Sequence, residues 1–584
     1  MSKKIIFFSP HSSVWEHSFS EALIAESLQK SGHKVTMIGC KGILSERCTT
    51  YDAKGINYEA KKEDLKKICK TCIKYQEFIS KKFSLKRLYL ENYVLKEDIN
   101  RVRWLEKKVE DLDYVDIKFE SLNIGLYSLY ELLVNLKINC LLLTKYQKLI
   151  YKKYLRGSLL SVIGVGKIIQ KEHPDAIVTY NSLYSNNRSI AEYSRSKGIK
   201  DVTLHAGNNF SNRLSRIILS RETTIDHEKY LLQLWDKYSM YPASKKIIET
   251  IADHLLTMID AKIIFNYGVA PDFKKNIRDI YKIKENDTIL LATMSSGDER
   301  FAAEVVGLGW DSKNLLFKTQ IDWVNWLINY VRYNPNYFLI IRVHPRELPN
   351  RRDKKISAQA SELKKLFNNL PPNVVINWPD DDLSIYDLMR EVNVLLNYHS
   401  SAGREFAMVG LPVVIYSKNV SSFPTDFCLL GDTEDEYILK IHKAVENQFD
   451  FSRIIKVYRW LALDHYYSVL NINNKNLLKS NQSSFARNFM GQLISLFSVI
   501  KLEHMLDVWN RSKLLNSKKY LNDFFTNDIR SIADISEIII SSEAEECAAL
   551  KQQLLRVANS IGALQDSNCN LYKLLKIAKI LKNP

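Results

Sequence analysis

With 584 residues, 46% of them apolar and 11% aromatic, the chain can build two cores plus an extension, which excludes an intrinsically disordered protein. Only 19 Gly and 13 Pro argue against low-complexity linkers, and a formal charge of +17 calls for an anionic partner: a nucleotide-sugar, an anionic lipid surface or an acidic glycan. No nucleic-acid module is recognisable and the lysines are spread along helical segments, so nucleic acid is not an expected partner.

Met1-Ser2-Lys3-Lys4 runs straight into an apolar strand, Ile5 to Phe8, too short for a signal peptide and without a cleavage site. No run reaches the length of a transmembrane helix; the longest, at 493–499 and 535–540, are core-sized. The expectation is a cytoplasmic protein, or one peripheral on the inner face of the membrane. After the strand come a loop, Ser9-Pro10-His11-Ser12-Ser13, a helix over 18–31 stopped at Gly32, and a strand over 34–39. Strand, polar loop, helix with a Gly stop and strand form the opening unit of a Rossmann-like domain.

Four of the eight cysteines, Cys40, Cys48, Cys69 and Cys72, then fall in one short window. Disulfides are disfavoured in a cytoplasmic protein, so the cluster reads either as a structural tetrahedral Zn²⁺ site or as four ordinary buried thiols. Residues 60–165 are helical in pattern and rich in Lys, Leu and Tyr, an insertion suited to acceptor or membrane contact. The strand-and-helix pattern resumes at 174–180, with Asn181 to Arg188 leading into a helix. A further strand at 202–204 carries His205-Ala206-Gly207-Asn208-Asn209 at its end. Residues 260–265 are another strand candidate, and 268–287 reads as the linker between domains.

Residues 288–293 open a second Rossmann-like domain, with Ser295-Ser296-Gly297-Asp298 as its first loop. A strand at 338–341 ends in Arg342-Val343-His344-Pro345-Arg346. One at 374–376 is followed by Asp380 to Asp382, most simply a polar turn. The run 392–396 delivers Asn397-Tyr398-His399-Ser400-Ser401-Ala402-Gly403-Arg404-Glu405, and a helix leads to Gly410-Leu411-Pro412 and a last run, 413–416. Short apolar runs alternating with helix-length segments indicate a buried parallel sheet, whose ligands bind beyond the carboxyl ends of the strands. Those ends make an anion-binding edge. Ser400 and Ser401 start a helix and offer backbone N–H groups and hydroxyls. Gly403 permits close backbone approach, Arg342 and His344 supply charge-assisted donors, and Pro345 turns His344 toward the cleft. Glu405, one helical turn beyond the serines, is placed to accept from ribose hydroxyls.

At these residues the chain resembles the GT-B glycosyltransferases of bacterial capsule and surface polysaccharide synthesis, in particular the sialyl- and Kdo-type transferases with HP and Ser-Ser or Ser-Thr motifs. The resemblance covers about residues 170 to 420. It implies an α/β GT-B fold of two Rossmann-like domains facing a cleft, 1–267 on the acceptor side (insertion about 60–165) and 268–433 on the donor side. A helical extension, 434–584, would complete the chain. It implies that His344 and Pro345 lie at the nucleotide and that Ser400 and Ser401 hold its phosphate. It puts the first loop at the acceptor, making His11, Glu16 and His17 candidate bases, and assigns His205, Asn181 and Arg188 to the acceptor side. The D/E-D/E-G motif that supplies a base in several sialyltransferases has no counterpart; Ser296-Gly297-Asp298-Glu299 has the residues in another order.

The expected function is transfer of a sugar from a nucleotide-activated donor, a CMP-sugar among the choices, to a capsule, O-antigen or other surface polysaccharide or its lipid-linked precursor. No cofactor is required for such catalysis. The alternatives are a CDP-polyol phosphotransferase of the teichoic-acid type and a non-catalytic polysaccharide-assembly or glycan-binding protein of the same fold. Residues 570–584 read as a basic amphipathic helix, suited to an anionic membrane surface or to packing on its own protein.

Overall fold

The computed structural model describes residues 2–56, 58–109, 113–261, 269–309, 315–349, 355–472 and 518–581. Of the strand candidate at 260–265, Asp260 caps the helix Lys245–Ile259 and 262–265 lie outside the described residues, as does the apolar run at 493–499.

The first sheet is built from β1 (Lys4–Phe8), β2 (Lys34–Gly39), β3 (Lys86–Tyr89), β4 (Ala176–Tyr180), β5 (Lys200–Ala206), β6 (Arg216–Arg221) and β13 (Val469–Asn471), in the order β13-β6-β5-β4-β1-β2-β3. Strands β1 to β5 are parallel, and β6 and β13 close the edge antiparallel. The second sheet contains β7 (Thr288–Thr293), β8 (Tyr337–Arg342), β9 (Val374–Asn377), β10 (Val394–Asn397), β11 (Val413–Ile415) and β12 (Leu429–Leu430). It is parallel throughout, in the order β12-β11-β10-β7-β8-β9. Both sheets reverse direction of winding once, between β1 and β4 and between β7 and β10. Strand ends flanking such a reversal diverge and leave a crevice, which is where doubly wound sheets bind ligands. Two Rossmann-like domains facing a cleft make this the GT-B arrangement.

Continuous apolar runs form these strands because both faces are covered. Phe338, Leu339, Ile340 and Ile341 are all at most 2% exposed, their side chains divided between two core clusters on the two faces of the second sheet. Trp323 is fully buried on the helix Gln320–Arg332, as an aromatic stripe on that helix requires.

The C-terminal part is not a body of its own. The helix Glu434–Glu446 covers the second sheet through Tyr437 and Ile441. The chain then crosses back through the helix Phe451–Ala462 to supply β13 to the first sheet. The helix Lys518–Thr526 packs Leu521, Phe524 and Phe525 into the first domain, whereas Glu543–Ser560 packs against the helix Lys245–Ile259 in the second core. The basic helix Asn570–Ile577 buries Leu571, Leu574 and Leu575 in that same core, so its apolar face is taken by its own protein rather than offered to a membrane. Among the described residues no helix is long and apolar enough to cross a membrane.

Candidate nucleotide site in the interdomain cleft

Hydrogen-bond register fixes the height at which three loops leave the second sheet. Arg342 is level with Thr293, and Thr293 with Asn397, across β8, β7 and β10. The Thr293 hydroxyl donates to Asn397 Oδ1 at 2.8 Å, and Asn397 Nδ2 donates to the Ser400 carbonyl at 3.1 Å. The segments after 293, 342 and 397 therefore emerge side by side. They line one cleft of about 310 Å³ with Ser295, Ser296, His344, His399, Ser400 and Ser401, faced from the first domain by Tyr130 and Ile225. The HP and Ser-Ser motifs meet in one place.

His344 is set by its own turn. Its Nδ1 accepts the Arg346 backbone N–H at 3.3 Å at the start of the short helix Pro345–Glu347. Burial, aided by the Arg346 charge, pushes its pKa down to about 4. The ring is thus neutral near pH 7, and with Nδ1 an acceptor its proton sits on Nε2, a neutral donor. His399 is held with φ +55° and is pushed down to about 3 by burial and by the Arg300 charge. Arg300 lines the cleft, stacks over the Tyr398 ring at 5.0 Å and pairs with Glu304 at 3.5 Å. Its NH1 nitrogen is buried without a hydrogen-bond partner. Its charge lies at the cleft wall, where an anionic ligand would meet it. Arg300 lies one helical turn past the Ser-Ser-Gly loop; only a cation on the first turn behind a phosphate-type loop would have marked it.

Several residues expected here are committed elsewhere. Arg342 is 5% exposed and gives a guanidinium N–H to Asn377 on the neighbouring strand, so it steadies the sheet end instead of reaching the cleft. A Cβ on Gly403 would come within 2.6 Å of Phe423 and 2.9 Å of Asn397 Nδ2, so the glycine is required for packing of the Ser400 loop and not for ligand approach. Glu405 is buried and accepts from Tyr386 Oη at 3.0 Å and Ser401 Oγ at 3.2 Å, and burial raises its pKa; it braces the loop and is not placed for ribose. Pro345 begins the turn that presents His344. Asp298 is 3% exposed between Ser296 Oγ (2.7 Å) and the Arg346 guanidinium (2.9 Å), an internal ion pair rather than a base. Glu299 keeps half its side chain exposed at the cleft. Asp382 meets Lys275 at 3.0 Å in a polar turn.

In the first domain the ends of β1, β4 and β5 bring three histidines together. His17 stacks on Tyr180 with ring centroids 3.9 Å apart, and the His205 ring lies 6.1 Å from the same tyrosine. Burial pushes His11 and His205 down to about 4 and His17 to about 3. His205 Nδ1 donates to the Ala206 carbonyl at 2.8 Å, leaving Nε2 as the basic nitrogen. Glu16 is exposed in the first turn of the helix Trp15–Lys30, and that helix has no side-chain cap. Asn181, with φ +55°, accepts from the Leu183 N–H at 3.2 Å and turns the loop after β4. Arg188 is 6% exposed, pairs at 2.7 Å with Glu192 one turn further along its own helix and lies over Tyr127, so its charge is met inside the protein and not by an acceptor.

His11 and the four cysteines, Cys40, Cys48, Cys69 and Cys72, line one small cavity. Burial raises the pKa values of Cys40, Cys48 and Cys69, and Cys69 Sγ lies 3.0 Å from Tyr51 Oη. Among the described residues no three His, Cys, Asp or Glu side chains are arranged to hold a metal ion. Protonated buried thiols are the alternative that these raised pKa values suit.

No family model matches the chain, and no curated protein matches it. Solved structures similar to it include Thermosulfurimonas dismutans KpsC, a beta Kdo 2,4 transferase (13% identity, 50% of this chain and 79% of that one, TM-score 0.32). The UDP-GlcNAc 2-epimerase from Neisseria meningitidis bound to UDP-GlcNAc is another (12%, 79% and 96%, 0.25). CalG4, the calicheamicin glycosyltransferase, is a third (10%, 85% and 99%, 0.23). These likenesses are too slight to bear on function, which is read from the residues of the cleft.

Proposed function

We propose that the chain is a glycosyltransferase that moves a sugar from a nucleotide-activated donor to a surface polysaccharide or its lipid-linked precursor. One observation carries the reading: His344, His399, Ser400, Ser401 and Arg300 converge on a single cleft at the reversal point of the second sheet, opposite the first domain. The donors suit a phosphate, with Arg300 supplying charge and His344 Nε2–H and the serine hydroxyls supplying neutral hydrogen bonds. Their part in the reaction is to stabilise the charge that grows on the departing phosphate oxygen as the glycosidic carbon leaves it. A base on the first domain takes the acceptor hydroxyl proton; His205 Nε2 and Glu16 are the candidates.

The test is a thermal-shift screen against CMP, CDP, UDP and GDP, since a ligand that binds only the folded state raises the melting temperature. The responding nucleotide names the donor class, and sugar transfer from the matching nucleotide-sugar is then assayed directly. A response to CDP with turnover of a CDP-polyol would identify a phosphotransferase instead. No response to any nucleotide would leave a non-catalytic glycan-binding protein.

A further inference from the structure

The helical insertion carries an exposed surface that the cleft does not use. The long helix Lys145–Glu172 begins with Lys145, Lys148, Lys152, Lys153 and Arg156 and has no acidic residue before Glu172. Beside it runs the helix Lys96–Lys108, and a groove of about 530 Å³ separates the two. Arg103, Lys107, Lys152 and Lys153 border it. Arg156 is neutralised at its floor by Glu46 and Glu106. Arg103, Lys107 and Lys153 form no ion pair among the described residues.

Large apolar side chains stand exposed on the same two helices and just ahead of the longer one, and Tyr146 and Leu149 line the groove itself. Leu142 is 90% exposed, Leu149 59%, Trp104 54% and Tyr146 45%, and Lys108 covers the Trp104 ring at 3.8 Å. Tyr146, Leu149 and Lys153 follow one another at helical spacing along one face, with Leu142 just ahead of them. Leucines left in water gain nothing from a polar glycan, whereas a bilayer interface takes up leucine, tyrosine and tryptophan while its anionic headgroups meet the surrounding cations. Charge and apolarity together select the partner.

We propose that this groove and its rim dock the protein on an anionic lipid surface. Trp104, Leu142, Tyr146 and Leu149 enter the headgroup boundary and Arg103, Lys107 and Lys153 lie against lipid phosphates. The assignment is independent of the glycosyltransferase reading. It replaces the C-terminal helix, whose leucines are internal, as the membrane-facing element.

Co-sedimentation of the full chain with vesicles of phosphatidylcholine alone, or mixed with phosphatidylglycerol, tests it. Wild type should pellet with the mixed vesicles only. The pair Lys107→Glu and Lys153→Glu should lower partitioning by roughly 10- to 100-fold, given about 1 kcal/mol per basic residue at such a surface. Leu142→Ser with Leu149→Ser should lower it separately; Lys107, Leu142 and Leu149 are exposed and Lys153 is half-buried without an ion pair among the described residues, so unchanged melting curves are expected. The same charge change at Lys364 and Lys365, exposed on the second domain, should have little effect. Equal losses from both charge pairs, or retention by the leucine variant, would reduce the binding to nonspecific attraction and overturn the proposal. Binding of a soluble acidic polysaccharide through these lysines with no vesicle binding would overturn it in favour of a glycan site.

Discussion

Arg404 of the motif that follows the serine pair is ion-paired with Asp464, 60 residues later, at 3.3 Å, and the same carboxylate accepts from Asn208 Nδ2 of the first domain at 2.9 Å. Asp464 is 2% exposed and sits where the chain crosses back toward β13. It thereby holds the helix Ala402–Met408 of the donor domain against the loop after β5. Removing one member of a buried pair strands the other charge. Asp464→Ala should therefore destabilise by roughly 3–5 kcal/mol, and Asp464→Asn, which keeps an acceptor for Asn208, by less. Urea unfolding of the two variants checks the ordering; equal effects would contradict it.

Lys137 makes a second interdomain tie, and it ends at the HP loop. Its ammonium is 1% exposed and donates to the carbonyls of Arg346, Leu348 and Lys355 at 2.6, 3.1 and 2.8 Å, while Arg346 donates to the Val134 carbonyl at 2.6 Å. Lys137→Met keeps most of the stem and leaves three carbonyls without this donor. The expected cost is about 1–3 kcal/mol of stability, with weaker nucleotide binding because the turn presenting His344 loosens. Lost stability with unchanged nucleotide affinity would show that the tie does not reach the site.

Opposed titrations give the protein a stability maximum. His11, His205, His227 and His344 are pushed down to about 4 and His17 and His399 to about 3, chiefly by burial. From about pH 4 to 6.5 the unfolded chain binds more protons at these sites, so stability rises with pH. Burial raises Glu21 to about 8 and Glu131, Glu228 and Glu347 to about 7. There the folded state binds more protons, so their stabilisation is lost as pH rises through those values. Above pH 6.5 only the glutamate effect remains, and stability should fall toward about pH 8. Glu21→Gln, at the Ser9–Glu21 hydrogen bond, should flatten the upper part of that fall. A wild-type curve that keeps rising through this window would contradict the assignment.

For the cysteines the expected outcome is protein that carries no stoichiometric zinc and whose melting temperature does not respond to a chelator. One zinc per chain by elemental analysis, lost in Cys69→Ser together with stability, would establish the metal reading.

The second sheet was legible because each of its strands is a short apolar run closed by Gly, Pro or polar residues, and buried strands are written that way. The meeting of His344 with Ser400 was legible too, since parallel topology puts successive strand ends on one edge. Arg342 and Glu405 misled because residue type at a strand end does not tell which way the side chain turns, and both turned to neighbours in the protein. Arg300 and Asp464 were missed for another reason. One lies in a helix behind an inconspicuous loop, and the other acts through a contact 60 positions from Arg404. The C-terminal segment read as wholly helical because three-residue β13 carries no signal of its own; only the exposed edge of β6 makes it a strand.

Calorimetric titration of the nucleotide selected by the thermal-shift screen, into wild type, Arg300→Ala and His344→Ala, bears most directly on the cleft. The result expected is at least a roughly tenfold loss of affinity in each variant with the fold intact, as loss of a charged or well-placed phosphate donor costs about 1.5–3 kcal/mol. Undiminished affinity in both would place the nucleotide elsewhere and contradict the account.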